Sequence, residues 1–285
     1  MDVKKIAVVG AGAMGSGIAQ VAATAGFETA LQDVDAAALA RALGRIRKSL
    51  ERVVASGKIK PEALEQTVAR LKTTTSLEEA CAGADFVVES VFENLELKKR
   101  VFAAIDAAAP KGAILASNTT QLSVTAMANA TGRPDRVIGM HWFNPPPVMK
   151  LVEIVRGVST SDETLAVTKA LSERMGKTVV VCRDAAGFIT SRALAAHLME
   201  CFRILEEGIA SAKEIDDAVK LGLGYPMGPM ELADYVGLDV LCHASEGLAE
   251  AYGDRFRPPQ TLVKLVEAGH LGAKTGRGFY EHGKK

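Results

Sequence analysis

The run His-Trp-Phe-Asn-Pro-Pro-Pro-Val-Met-Lys-Leu-Val-Glu, from His141 to Glu153, sets an imidazole and a carboxylate twelve residues apart. An imidazole with a pKa near ~6.5 takes up and returns a proton around neutral pH, and a neighbouring carboxylate fixes its tautomer and favours its protonated form. That is the outline of a general acid/base pair. Pro145, Pro146 and Pro147 lie midway and cannot continue a helix or a central strand, so the chain must turn there. If the apolar-rich stretches 136–140 and 151–156 are strands flanking the reversal, His141 and Glu153 stand equally far from its centre and face each other. The competing reading is a histidine satisfied by backbone groups beside an ordinary surface glutamate.

The elements that must position such a pair begin at the other end of the chain. Lys5-Ile-Ala-Val-Val runs into Gly10-Ala-Gly-Ala-Met-Gly, then a helical stretch 16–25, a stop at Gly26 and a second strand over 28–32 that delivers Asp33. A GxGxxG pattern alone is weak; in the frame strand, turn, helix, strand and acidic residue it is a complete dinucleotide-binding fingerprint. Gly10 allows the tight turn, Gly12 lets the backbone approach a pyrophosphate, Gly15 permits close helix packing, and the helix N-terminus offers N–H groups to the anion. Met14 lies within the same turn. Asp33 would hold the adenosine ribose hydroxyls, and a 2′-phosphate about 4 Å from it would meet repulsion of roughly 4 kcal/mol per unit charge. No lysine or arginine follows at 34–36, so the expected cofactor is NAD.

Further along, 71–75 reads as a short strand, 77–81 as a helix and 85–89 as a buried strand with Glu93 and Asn94 just beyond its end. Ligand sites in such sheets lie at strand carboxyl ends, which places Glu93 toward the cofactor; alternatively, Glu93 and Asn94 merely begin the helix that runs through Lys98 to residue 109. A strand at 113–116 delivers Ser117, Asn118, Thr119 and Thr120 at its end, a second polar cluster on the same side. Strands alternate with helices up to about Asp184, and from Gly187 the pattern turns helical over 188–207, 212–221, 230–251 and 259–268. The fold class is therefore α/β: an N-terminal Rossmann-like, doubly wound sheet with a mixed edge near the proline turn, over 1–185, and a C-terminal all-helical domain, over 186–285.

Composition excludes several functions. Lysine plus arginine equals aspartate plus glutamate at 34 each, so there is no global field for nucleic acid or an anionic membrane. Cys81, Cys182, Cys201 and Cys242 are scattered without CxxC spacing in apolar surroundings, which fits a reducing cytoplasm and gives no metal site. The first strand begins almost at Met1 and no apolar run approaches ~18 residues, so neither a targeting segment nor a membrane span is expected. The helix predicted over 36–57 carries Arg41, Arg45, Arg47, Lys48 and Arg52 against Glu51 alone. Such a run is either a solvated face or an anchor for a polyanionic substrate handle. Apolar stripes on the C-terminal helices exceed what one small domain can bury, which suggests a homodimer through that domain.

Six motifs in order, Gly10-Ala-Gly-Ala-Met-Gly-Ser-Gly-Ile-Ala-Gln, Val87-Val-Glu-Ser-Val-Phe-Glu-Asn, Ala116-Ser-Asn-Thr, His141-Trp-Phe-Asn-Pro, Gly224-Tyr-Pro-Met-Gly-Pro and Lys274-Thr-Gly-Arg-Gly-Phe-Tyr, span essentially the whole chain. Together they resemble the short-chain (S)-3-hydroxyacyl-CoA dehydrogenases, including bacterial 3-hydroxybutyryl-CoA dehydrogenases. The resemblance implies reversible oxidation of a 3-hydroxyacyl thioester by NAD, a helical dimerisation domain, and an acyl-CoA as the small-molecule partner. It matches the catalytic pair to His141 and Glu153, Glu93 and Lys98 to positions near NAD, and Ser49 to a residue contacting the CoA portion.

Two departures concern the substrate. The family usually has serine where this chain has Thr120, and threonine keeps the hydroxyl while adding a methyl group. Ser191 replaces an asparagine whose amide helps position the substrate; a hydroxyl is shorter and lacks two N–H donors. Ala186 stands where the family has proline, which bears on the hinge. Two alternatives remain: a dehydrogenase of a free hydroxy acid, which needs no CoA handle, and a non-catalytic NAD-binding protein with this fold.

Overall fold

β-branched and aliphatic runs of four to six residues, most of them ended by glycine or a polar turn, form the eight strands of a single sheet. In the computed structural model, which describes residues 1–283, these are β1 (Lys5–Val9), β2 (Glu28–Gln32), β3 (Leu71–Thr74), β4 (Phe86–Glu89), β5 (Ile114–Ser117), β6 (Val137–Trp142), β7 (Leu151–Arg156) and β8 (Thr178–Arg183). They lie in the order β3-β2-β1-β4-β5-β6-β7-β8, parallel except where β7 runs antiparallel to β6. The chain forms two compact units, Met1–Ala185 and Ala186–Lys285, and the sheet belongs wholly to the first.

The helices of the sheet unit are α1 (Ala13–Thr24), α2 (Ala36–Ala55), α3 (Pro61–Ala69), α4 (Leu77–Cys81), α5 (Leu95–Ala108), α6 (Val124–Ala128) and α7 (Asp162–Arg174). β4, β5 and β6 are buried along their whole length, as parallel strands covered on both faces must be. One core packs Ile6, Val8 and Leu31 of the sheet against Ile18 of α1 and Leu39, Ile46 and Leu50 of α2. Five helix starts of this unit carry side-chain caps: Asp35 for α2, Ser76 for α4, Asn94 for α5, Ser123 for α6 and Ser161 for α7. α1 begins at Gly12 with no side chain capping it.

In the second unit lie α8 (Thr190–Glu206), α9 (Ala212–Leu223), α10 (Pro229–Val236), α11 (Leu238–Tyr252) and α12 (Gln260–Glu267). The long helix expected over 230–251 is two helices, because Gly237 at φ +109° stops α10 and starts α11. The helix expected from residue 188 starts at Thr190, since Phe188 holds a left-handed φ of +47°. A core of Leu198, Phe202, Met230, Leu238 and Leu262 joins these helices. Two buried carboxylates secure the ends. Asp216 accepts hydrogen bonds from the Met230 and Glu231 backbone N–H groups at the start of α10 and from the Tyr280 hydroxyl. Asp234 accepts from the Phe279 and Tyr280 N–H groups and lies 2.8 Å from His282 Nε2. A Cβ on Gly278 would sit 2.0 Å from Asp234 Oδ1, so the Lys274-Thr-Gly-Arg-Gly-Phe-Tyr segment needs glycine there to close on the helix. No helix among the described residues is long and apolar enough to cross a membrane.

Candidate active site

The antiparallel pairing of β6 with β7 makes His141 and Glu153 direct register partners. Side chains of such partners project to the same face of the sheet. His141 Nδ1 lies 2.8 Å from Glu153 Oε2, with the side chains 7% and 1% exposed. With a proton on Nδ1 donated to that carboxylate, the basic lone pair of the ring is on Nε2. Phe143 packs its ring 4.5 Å from the imidazole centroid.

The turn between the two strands is held from below. Lys177, almost fully buried, donates to the carbonyls of Pro146 (2.6 Å) and Met149 (2.8 Å), and its ammonium lies 5.4 Å from the Trp142 ring centroid. Burial pushes the Lys177 ammonium down from its usual range. Pro146 also rests on α1: a Cβ at Gly17 would come within 2.7 Å of its Cδ. The glycine-rich segment and the proline turn are thus in van der Waals contact.

The glycine turn has the shape that a pyrophosphate requires. Gly10 takes φ +102°, and a Cβ there would strike the Ser90 carbonyl at 2.5 Å. A Cβ on Gly15 would fall 1.8 Å from the Gly10 carbonyl oxygen, so nothing larger than glycine fits. At Gly12, by contrast, a Cβ would meet no protein atom within 4 Å, and the uncapped start of α1 follows with Ala13 and Met14. An open approach to an uncapped helix N-terminus suits a diphosphate. Asp33 stands at the end of β2, with Oδ2 accepting from the Ala11 N–H at 2.7 Å and Oδ1 from the Asp35 N–H at 3.0 Å. These residues fit NAD.

Glu93 and the residues after β5 form one cluster. Glu93 Oε1 accepts from the Thr119 hydroxyl (2.6 Å) and from the N–H groups of Thr120 (2.8 Å) and Gln121 (3.3 Å). Asn94, not Glu93, caps α5. Asn118 bridges neighbouring strands, accepting from the Trp142 N–H at 3.0 Å and donating to Ser90 Oγ at 3.2 Å. Lys98, expected near the cofactor, has no exposed side-chain surface; it reaches the site through Glu89 at 2.7 Å and Glu93 at 3.4 Å. Sequence reasoning missed Glu89, whose burial depends on β1 and β5 packing around it.

The basic face of α2 is partly consumed within the protein. Arg45 donates to the Ala11 carbonyl at 2.7 Å and lies near Ser16 Oγ, while Arg41 pairs with Asp35 and Arg47 with Glu65. Ser49, half-buried on the same helix, accepts from Gln20 Nε2 at 3.1 Å. Ser191 lies in the first turn of α8, in the helical unit. Burial raises all four cysteine thiols, to about 11 for Cys81, Cys182 and Cys201, so none is a nucleophile at neutral pH.

Comparison with known proteins agrees over the full length. Residues 5–185 match the model of the 3-hydroxyacyl-CoA dehydrogenase NAD-binding domain, and residues 187–282 that of the 3-hydroxyacyl-CoA dehydrogenase C-terminal domain. The chain is 42% identical to 3-hydroxybutyryl-CoA dehydrogenase of Bradyrhizobium diazoefficiens, over 98% of this chain and 96% of that one. It is 43% identical to the mitochondrial hydroxyacyl-coenzyme A dehydrogenase of Homo sapiens, over 98% and 91%. The crystal structure of (S)-3-hydroxybutyryl-CoA dehydrogenase from Ralstonia eutropha superposes with a TM-score of 0.96 at 40% identity, covering 99% of this chain and 100% of that one.

Proposed function

The chain belongs to the 3-hydroxyacyl-CoA dehydrogenase family, and from that premise we propose that it interconverts (S)-3-hydroxybutyryl-CoA and acetoacetyl-CoA, with His141 as the acid/base. The buried 2.8 Å contact between His141 and Glu153 carries this reading. NAD, when bound, supplies the hydride acceptor. In oxidation, His141 Nε2 takes the proton of the 3-hydroxyl as C3 loses hydride; in reduction it returns that proton to the oxygen. Glu153 orients the ring through Nδ1 and stabilises the imidazolium, and burial strengthens that attraction by excluding water.

We assign the remaining roles from the family resemblance together with position. Gly10, Gly12, Met14 and Gly15 receive the pyrophosphate, Asp33 the adenosine ribose, and Glu93 and Asn118 the nicotinamide half, with Lys98 fixing Glu93. Thr120, whose N–H is tied to Glu93, presents its hydroxyl to the substrate. Ser191 contributes a shorter hydrogen-bonding arm than an asparagine, and Ser49 meets the CoA portion.

The enzyme is assigned to the cytoplasm as a homodimer. Leu221 (87% exposed), Leu223, Tyr225, Met227, Tyr235 and Val240 crowd the surface of the helical unit, an apolar area that a second copy would cover. Sedimentation at micromolar concentration should give twice the chain mass; a single-chain mass would remove the dimer.

An NADH-linked assay with acetoacetyl-CoA, a longer 3-ketoacyl-CoA and the free 3-keto acid tests the substrate. The expected order of kcat/KM is acetoacetyl-CoA first and the free acid far last. Comparable rates with the free acid would overturn the thioester reading, and no turnover with any would remove catalysis.

A further inference from the structure

Glu89 is the last residue of β4 and lies in register between Val9 of β1 and Ser117 of β5. Its carboxylate is wholly buried. Oε1 accepts from the Lys98 ammonium and the Val91 N–H, both at 2.7 Å, and Oε2 accepts from the Ser117 hydroxyl at 2.6 Å. Lys98 lies 3.4 Å from Glu93 Oε2 on its other side, and Glu93 is 32% exposed. Two carboxylates therefore share one ammonium, and the cluster retains one negative charge in excess.

The place of this charge follows from the sheet order. The order reverses at β1, where a dinucleotide lies across the crevice with one half over each side. Asp33, just beyond the end of β2, marks the adenosine side, so the nicotinamide half would lie over β4, β5 and β6. The nicotinamide ring is cationic when oxidised and neutral when reduced; every other charge of the cofactor is the same in both states. A fixed charge beneath that half therefore discriminates between the two forms, whereas a merely structural contact acts on both alike.

We propose that Glu89, with Lys98 and Glu93, is an electrostatic element that selects the oxidised form of the cofactor and so sets the poise of the bound redox couple. This inference rests on NAD being the cofactor. The test uses Glu89→Gln in the full chain, because the amide can accept from Lys98 and Val91 while donating to Ser117. Dissociation constants for NAD+ and NADH, measured separately by fluorescence titration, give a ratio independent of turnover. Loss of one charge on the order of 10 Å away should weaken NAD+ about five- to ten-fold relative to NADH. Glu93→Gln, at a partly exposed position, should shift the ratio in the same direction and covers the case in which the buried variant fails to fold. Parallel changes in both constants, or an unchanged ratio in a folded variant, would overturn the proposal. Failure of the unmodified protein to bind either form would instead remove NAD as the cofactor.

Discussion

His141 and His282 each lie 2.8 Å from a buried carboxylate, Glu153 in the sheet unit and Asp234 in the helical unit. The distance is the same, but the arrangements around it differ. Glu153 and His141 come from strands paired residue by residue, and the imidazole is 7% exposed. Asp234 also takes two backbone N–H groups of the segment that carries His282, and that imidazole is 30% exposed. The first carboxylate orients a ring; the second fastens a stretch of chain, and its histidine adds one more strand to the fastening. In these two pairs, the backbone donors on Asp234 belong to architecture, and the sheltered imidazole on Glu153 belongs to the proposed chemistry.

The comparison breaks most sharply at His141. His141→Ala should lower kcat by about 10²- to 10⁴-fold with NAD affinity retained, in steady-state kinetics and a binding titration; a fully active variant would erase the distinction between the pairs. Next in size, Asp234→Ala should destabilise the fold by ~2–4 kcal/mol, because it strands buried backbone donors, and urea denaturation would register it. The catalytic constant per folded molecule should stay near that of the unmodified protein. The smallest effect belongs to His282→Ala: less than about 1 kcal/mol of stability and no change in kcat. A catalytic defect there would show that the C-terminal segment takes part in the reaction.

Much of the sheet unit was legible because its signals are local. The strand, glycine turn and helix at 5–24 follow from contiguous residues, and the 141–153 pairing follows from a proline-enforced reversal between two apolar strands. What escaped depends on groups distant in sequence. Resemblance places Lys98 only near NAD, and its burial between two carboxylates comes from the packing of α5 on the sheet. Arg45 belonged to a charge run that read as either a solvated face or an anchor for a substrate handle, and the fold turns it onto the Ala11 carbonyl. In the helical unit, apolar periodicity continued through Gly237 and concealed the break that its positive φ creates. The role of Glu89 was equally hidden, since a lone glutamate at a strand end says nothing of what closes over it.

The contact between Gly17 and Pro146 has a consequence for redesign. Because the helix proposed to receive the cofactor phosphates touches the turn between the strands that carry His141 and Glu153, Gly17 is a seam at which a change made for the nucleotide would also press on the proposed proton-transfer pair. A library aimed at cofactor exchange should hold this glycine fixed and place its diversity around Asp33, at the other end of the crevice.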